Sequence, residues 1–264
     1  MCYEEATITI VRKRHLNRAP KPFAKHSRRL PVRFQAPKAF FKLATPKFDH
    51  SKSTTFKLFI RHLCILMIQI INTGVANIRS LQAAFDRLGC TWNLTVNAEE
   101  ITTASHVVLP GVGAFAAAAE AIDELGLREA IIDRINHRES ATLCICLGMQ
   151  LLCESSEESQ SAKGLGIIPK AITRFGEGVK IPQLGWNEVR PLDNGPYARG
   201  EAYFANSYRL ETAPDGWGAA ETDYGGTFIS SIWRGRTLAC QFHPELSGSW
   251  GESVLTQWIE GITC

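Results

Sequence analysis

The stretch ATLCICLGMQLL, residues 141–152, determines how the rest of the sequence is interpreted. Its first residues are almost all apolar and predict a buried strand, whereas GMQLLCESSEE, from Gly148 onward, predicts a helix. A strand that passes through Cys-x-Gly into a helix has the form of a nucleophile elbow. In such an elbow, a tight turn projects one side chain above the edge of the sheet.

Cys146 occupies the nucleophile position of this predicted elbow. Cys144 falls two residues earlier and is expected to pack inside the strand, and Cys153 falls inside the predicted helix. Amides at the start of the helix, including that of Leu147, would favour a thiolate and hold a developing oxyanion. The alternative is that Cys146 is an ordinary buried thiol.

Strands and helices alternate on the N-terminal side of the elbow. Three strands are predicted in ILMIQII, CTWNLTV and HVVLPGVGAF. One helix is predicted from a buried face of Ile78, Leu81, Phe85 and Leu88 and ends at Gly89, and Asn97 is predicted to cap a second, short helix. Alanine-rich helices follow, up to about His137. This pattern predicts an α/β fold with a doubly wound, mostly parallel sheet and flanking helices.

The C-terminal half has a different pattern. Shorter strands are predicted in KAITRF, GWNEVRPL, EAYFANSYRLE and GGTFISSIWRGRTLACQF, with RGR closing a hairpin and a last helix from about Ser249. We therefore expect short antiparallel strands to be added to the sheet, all within one domain at residues 67–264.

Residues 1–66 differ sharply in charge from the rest of the chain. They contain fifteen Lys and Arg but only three acidic residues, a net charge of +12, whereas the remainder carries −9. With their prolines and no sustained periodicity, they are expected to be disordered. Three interpretations of this segment compete. It is a targeting peptide, a tail that binds nucleic acid or a partner, or the product of a translation start assigned too far upstream. We favour the third, because Met67 opens the natural first strand.

The composition of the remaining chain excludes several classes of function. Its acidic charge argues against a nucleic-acid-binding face, and no apolar run is long enough to span a membrane. The eight cysteines of the whole chain follow neither a secreted disulfide pattern nor paired zinc-binding motifs. We therefore expect reduced thiols in the cytoplasm, with no metal and no cofactor.

A thiol nucleophile needs a base, and His243 is the candidate. It follows an apolar strand in CQFHPELSG, and Glu245 two residues later is placed to orient the imidazole. The glycine loop PGVGAF ends another strand, so the amide of Val112 or Gly113 could supply one oxyanion donor and that of Leu147 the other. Taken singly, His243 could be a turn histidine and PGVGAF an ordinary turn.

Together these motifs resemble the class I, triad-type glutamine amidotransferases. The resemblance extends over nearly all of the chain from Met67. The stretches that carry it are NTGVANIRSL, LPGVGAF, CLGMQLLCESSEES, GWNEV, YFANSY and QFHPELSG. Within the family, the sequence is similar to the glutaminase subunits of imidazole glycerol phosphate synthase. The resemblance implies a triad of Cys146, His243 and Glu245.

The resemblance also implies a substrate, a partner and further site residues. Glutamine would be held by Gln150 and by the segment of Asn206, Ser207 and Tyr208. Ammonia would pass to a (β/α)8-barrel cyclase in a heterodimer that serves histidine biosynthesis. Glutaminase activity would be low without the liganded partner, and the PGVG backbone would adjust before its oxyanion donor becomes usable.

Four positions depart from the family pattern. Cys144 replaces a glycine, Gln183-Leu184 replaces His-Met, Asn206 replaces a histidine, and Leu246 replaces a basic residue. The triad residues are retained, so glutaminase chemistry is still expected. The departures leave open a paralogue that feeds another synthase, an independent thiol hydrolase, or a non-enzymatic homologue.

Overall fold

Five parallel strands form the half of the main sheet that carries Cys146. The computed structural model describes residues 66–74, 77–137 and 139–261. In sheet order, the five strands are β2 (Thr91–Thr95), β1 (Met67–Ile71), β3 (His106–Gly111), β4 (Ala141–Cys146) and β12 (Thr237–Cys240). Their carboxyl ends share one edge, where a doubly wound sheet places its functional groups.

Antiparallel strands continue the same sheet beyond β12. They are β11 (Thr227–Arg234), β10 (Gly218–Asp223), β7 (Gln183–Pro191) and β8 (Gly200–Asn206). A second, three-stranded sheet contains β5 (Cys153–Ser156), β6 (Ile168–Arg174) and β9 (Tyr208–Arg209). The predicted α/β class, with a parallel half and added antiparallel strands, is confirmed.

Helices cover both faces of the main sheet. The helices are α1 (Ile78–Arg87), α2 (Ala98–Thr103), α3 (Phe115–Glu124), α4 (Arg128–Asn136), α5 (Leu147–Gln150) and α6 (Gly248–Glu260). Residues of α1 and α6 belong to one hydrophobic cluster, and residues of α2, α3 and α4 belong to the other. None of the helices among the described residues is long and apolar enough to cross a membrane.

Several local predictions are confirmed. The Asn97 side chain accepts from the amides of Glu99 and Glu100 and caps α2. Gly89 follows α1 with a φ of 71°. The RGR hairpin joins β11 to β12, with Gly235 at a φ of 58°. The prediction for residues 1–66, of which only Leu66 is described, lies outside the described residues and stays a prediction.

The predicted long helix after the elbow is wrong. Helix α5 lasts one turn, and the chain then enters β5, which pairs in parallel with β6. Leu151, Leu152 and Cys153 are consecutive and all buried. The Leu151 carbonyl accepts from the Leu165 amide at 2.7 Å and the Leu152 carbonyl accepts from the Ile168 amide at 2.9 Å, so the chain bonds to the neighbouring segment instead of continuing the helix.

Strand β10 was not predicted. Its sequence GAAETD has few of the β-branched and aromatic residues that favour strands. It becomes a strand because β11 and β7 pair with it on its two sides. Gly218 also lets the backbone lie against the Trp233 ring, which leaves no room for a larger side chain.

Two glycines bring β3 and the elbow into close contact. A Cβ added to Gly148 would lie 2.1 Å from the Leu109 carbonyl oxygen, and one added to Gly111 would lie 2.8 Å from the Leu147 Cβ. Gly111 is the register partner of Cys146 in the β3–β4 pair. The elbow therefore fits against β3 only because these positions have no side chain.

Gly148→Ala is expected to lower the free energy of unfolding by about 1–3 kcal/mol, because the added methyl group overlaps the Leu109 carbonyl. Urea unfolding measures the change. Gly176→Ala is the matched control, since its Cβ would meet no atom within 4 Å, and it should change stability by less than about 0.5 kcal/mol. Equal stability of both variants would show that the contact at Gly148 is not tight.

Candidate active site

Cys146 stands at a strained backbone turn between β4 and α5. Its φ is 53° and its ψ is −108°, and among the described residues it is the one non-glycine residue with a positive φ. Such a conformation costs on the order of 1–3 kcal/mol and persists only where the surrounding structure enforces it. The geometry is that of the predicted elbow, and it separates Cys146 from the regular strand positions before it.

Three other buried thiols are poorly suited to nucleophilic attack. Cys144 is fully buried in β4, and burial raises its pKa to about 12 against the opposing attraction of Arg134. Burial likewise raises the pKa of Cys153 to about 12 and that of Cys240 well above its usual range. At neutral pH these three side chains are therefore neutral packing groups.

His243 and Glu245 lie in the segment that follows β12. The His243 Nδ1 hydrogen-bonds to the Glu245 Oε1 at 2.8 Å, and both side chains are buried. The imidazole is also near enough to Cys146 for the thiol to raise the pKa of the ring. The three side chains thus form a connected row of thiol, imidazole and carboxylate, which is the arrangement of a catalytic triad.

Several contacts hold the backbone of this segment. The His243 amide donates to the Tyr203 carbonyl at 2.9 Å. The Ser247 hydroxyl donates to the His243 carbonyl at 2.6 Å and accepts from the Tyr203 amide at 3.0 Å. Gly251 of α6 packs so closely that a Cβ there would lie 2.1 Å from the Pro244 carbonyl oxygen. Strand β8 and helix α6 therefore fix the position of the imidazole from two sides.

The surroundings of His243 stabilise its charged form. Burial alone would lower its pKa, but hydrogen bonds and electrostatic attraction from Cys146 and Glu245 outweigh burial and raise the pKa to about 10. At neutral pH the imidazole is therefore protonated. The positive charge of the imidazolium lies beside the Cys146 sulfur.

A cavity of about 230 Å³ opens beside Cys146. It brings together nine of the ten residues predicted from the sequence, and Glu245 lies behind His243. The lining consists of Val112, Gly113, Cys146, Leu147, Gln150, Glu158, Ala205, Asn206, Ser207, Tyr208 and His243.

The expected oxyanion donors, the amides of Val112 or Gly113 and of Leu147, belong to residues that line this cavity. Gly113 has a φ of 97°, a conformation that favours glycine and that sets the orientation of the adjoining peptide groups. Leu147 is the first residue of α5, so its amide has no acceptor within the helix. Because α5 has only one turn, its dipole contributes less than a long helix would. Stabilisation of an oxyanion would therefore come from the individual amides.

The predicted glutamine-binding residues contact one another around the Tyr208 carbonyl. The Gln150 Nε2 donates to it at 3.3 Å and the Asn206 Nδ2 donates to it at 3.0 Å. The Ser207 carbonyl accepts from the Phe175 amide at 3.2 Å. These bonds hold the segment 206–208 as one wall of the cavity.

Glu158 is a cavity residue that the sequence reasoning missed as a site residue. Its Oε2 accepts from the Phe115 amide at the start of α3 at 2.8 Å. Glu158 falls within CLGMQLLCESSEES, one of the stretches that carry the family resemblance. A carboxylate fixed in the cavity wall is suited to bind a substrate ammonium group.

The four departures fall into three places. Gln183 and Asn206 are direct register partners on β7 and β8, and both are buried. Leu184 and Leu246 are exposed on the surface. Cys144 is accommodated in the core, so none of the four replaces a member of the Cys146, His243 and Glu245 row.

Glu245→Gln should lower the pKa of His243, because it removes one of the two groups that stabilise the imidazolium. In the wild-type protein the folded-state pKa of about 10 lies above the ordinary 6.5, so protonated His243 stabilises the folded protein. This stabilisation is fully present below about pH 6.5 and is lost as the pH rises through 10. NMR titration of the imidazole measures the pKa of His243, and unfolding at pH 7 and pH 10 measures the loss of stability.

The matched control for this prediction is Glu252→Gln. This variant removes an exposed carboxylate that pairs with Arg87 on the surface, so the His243 titration should remain unchanged. An imidazole that is already neutral at pH 8 in the wild-type protein would contradict the electrostatic account of the site.

Comparison with known proteins agrees with this geometry. The sequence model of the class-I glutamine amidotransferase family matches residues 69–259. The chain is 40% identical over 190 residues to "Imidazole glycerol phosphate synthase subunit HisH" of Dehalococcoides mccartyi strain CBDB1, covering 70% of this chain and 92% of that protein. It is also 40% identical over 198 residues to the HisH subunit of Moorella thermoacetica, covering 73% and 94%.

Two further comparisons concern a fused protein and the fold. "Imidazole glycerol phosphate synthase hisHF, chloroplastic" of Arabidopsis thaliana is 37% identical over 203 residues, which are 73% of this chain but 34% of that protein. A crystal structure of a glutamine amidotransferase superimposes with a TM-score of 0.61 at 16% identity, covering 74% of this chain and 98% of that one, and shows the same fold. The chain belongs to the class-I glutamine amidotransferase family.

Proposed function

We propose that this protein is the glutaminase subunit of imidazole glycerol phosphate synthase, in histidine biosynthesis. It hydrolyses glutamine to glutamate and ammonia, and a cyclase subunit uses the ammonia. The observation that carries the proposal is the row of Cys146, His243 and Glu245 at a cavity, in a chain about 40% identical to synthase subunits.

The first step is attack by the Cys146 thiolate on the carboxamide carbon of glutamine. The carbonyl oxygen becomes an oxyanion, and the amide of Leu147 together with that of Val112 or Gly113 stabilises it. The positive φ of Cys146 supports this step, because it turns the thiol out of the strand and toward the cavity.

The second step is loss of ammonia. Protonated His243 donates its proton to the leaving nitrogen, the carbon–nitrogen bond breaks, and a thioester to Cys146 remains. The neutral imidazole then takes a proton from water, which attacks the thioester and releases glutamate. Glu245 keeps the imidazole ring oriented through both steps and compensates its charge.

Glutamine recognition is assigned to the opposite wall of the cavity. Asn206, Ser207 and Tyr208 form a segment braced by Gln150, where backbone groups can bind the α-carboxylate. We assign the α-ammonium group to Glu158, whose carboxylate is fixed by its hydrogen bond to Phe115. The two charged ends of the amino acid would then orient its carboxamide toward Cys146.

A docking face for the cyclase lies beside the triad. Leu184, Trp186 and Leu246 are 63%, 53% and 38% exposed, respectively. Leu184 and Trp186 point to the same side of β7, Trp186 packs against Tyr203, and Leu246 follows Glu245 directly. Exposed aromatic and aliphatic side chains of this kind are typical of interface centres. The partner is expected to be a (β/α)8-barrel in a one-to-one heterodimer.

The departures favour a second candidate, a paralogue that serves a different synthase. Leu184 and Leu246 place apolar groups on the proposed docking face where the family often has methionine and a basic residue, and a partner with an acidic complementary position would bind less well. An independent thiol hydrolase would act without any partner. Cytoplasmic location is proposed from the described buried cysteines, which are all free thiols.

Cys146→Ala should abolish glutamine-dependent synthesis by the complex and leave ammonia-dependent synthesis intact, because it removes the nucleophile but not the partner's chemistry. Imidazole glycerol phosphate formation with either nitrogen source measures both. Cys144→Gly is the matched control in the same strand and should retain glutamine-dependent synthesis. Loss of activity in Cys144→Gly alone would mean that the nucleophile is misassigned.

Leu184→Asp should weaken binding of the cyclase at least about tenfold, because it places a charge in the apolar face. Calorimetric titration with the purified cyclase measures the affinity. Leu125→Asp, an exposed leucine at the C-terminal end of α3, is the control and should bind normally. Equal affinities of the two variants would place the interface elsewhere.

A further inference from the structure

Gln241 connects the nucleophile to the substrate-binding wall. It follows β12, is fully buried, and its amide donates to the Ser230 carbonyl at 2.8 Å. Its side chain lies between two groups of the site. The Gln241 Nε2 is 3.5 Å from the Cys146 Sγ, and the Gln241 Oε1 accepts from the Gln150 Nε2 at 2.9 Å.

The orientation of both amides follows from a single acceptor. The Tyr208 carbonyl can only accept, so the Gln150 amide must turn its Nε2 toward it. The same Nε2 faces Gln241, which must therefore present its Oε1. The Gln241 Nε2 is then left to face the sulfur. These contacts form a chain of hydrogen bonds from the Tyr208 carbonyl through Gln150 and Gln241 to Cys146, and each group in the chain is oriented by the one before it.

We propose that Gln241 is a further catalytic residue, whose side-chain amide donates a hydrogen bond to the Cys146 thiolate and stabilises it before attack. This inference rests on the proposed glutaminase function. A hydrogen bond to the charged form of an acid favours that form, so the donor adds to the effect of the protonated His243. Through Gln150, it also ties the sulfur to the segment 206–208, which is assigned to glutamine.

Two donors divide the task at the sulfur. His243 gives its proton to the leaving ammonia and regains one from the water that attacks the thioester, so its charge changes twice in each cycle. Gln241 keeps its protons throughout, because an amide does not titrate in this range. It therefore stabilises the thiolate both in the resting site and when the thioester is cleaved and the sulfur departs as the leaving group.

Gln241→Met removes the donor while keeping an unbranched side chain of similar length. The pH dependence of Cys146 alkylation by iodoacetamide, followed by peptide mass spectrometry on the full chain, reports on the thiolate directly. We expect its pH midpoint to rise by about one unit, so that alkylation below the midpoint slows about tenfold. The kcat for glutamate release should fall as well. Gln183→Met is the matched control, a buried glutamine on β7, and its alkylation midpoint should equal that of the wild-type protein.

Gln241→Glu provides a second test if the methionine variant does not fold. It retains the acceptor for Gln150 and replaces the donor with a carboxylate, so the alkylation midpoint should rise by more than one unit. Midpoints of Gln241→Met or Gln241→Glu that coincide with the wild-type value, in folded protein, would overturn the role of Gln241. Failure of the wild-type protein to hydrolyse glutamine with its cyclase would instead overturn the proposed function, whatever the alkylation profile.

Discussion

The active site depends on the close contact between β3 and the turn at Cys146. A cysteine at a φ of 53° is unfavourable by itself, so the neighbouring structure must hold it. Gly148 allows the turn to lie against the Leu109 carbonyl, and Gly111 allows Leu147 to pack across β3. This contact also brings the loop at Val112 and Gly113 to the same cavity as the thiol. One packing constraint thus positions the proposed nucleophile and the proposed oxyanion donors.

The electrostatics of the site build on this geometry. His243 is buried, which by itself disfavours its charge, yet Cys146 and Glu245 reverse the effect and raise its pKa to about 10. The imidazole is therefore protonated at neutral pH, and its positive charge lies beside the Cys146 sulfur. In the proposed mechanism, His243 acts first as an acid toward the leaving ammonia and only afterwards as a base toward water. Gln241 and Gln150 extend the polar network from the sulfur to the segment that is assigned to glutamine.

Much of this arrangement was predictable from the sequence, because the motifs lie at the ends of strands whose order follows from their alternation with helices. The apolar run before Cys146 and the apolar strand before His243 place both residues at the same sheet edge. The length of α5 was not predictable, since CESSEE has no feature that distinguishes a helix from a strand that must pair with β6. Glu158 and Gln241 were missed as site residues because their roles depend on contacts across 43 and 95 residues of sequence. The register that pairs Gln183 with Asn206 was likewise invisible until β7 and β8 were aligned.

The most direct test of the account is glutamate release from glutamine by the full chain, alone and with the cyclase of the same organism and its nucleotide ligand. The proposed function predicts slow release alone and strong stimulation by the liganded cyclase. Release that is fast and indifferent to the cyclase would contradict it and would favour an independent hydrolase or another partner. Absence of release in both states would contradict the assignment of Cys146, His243 and Glu245 as a working triad.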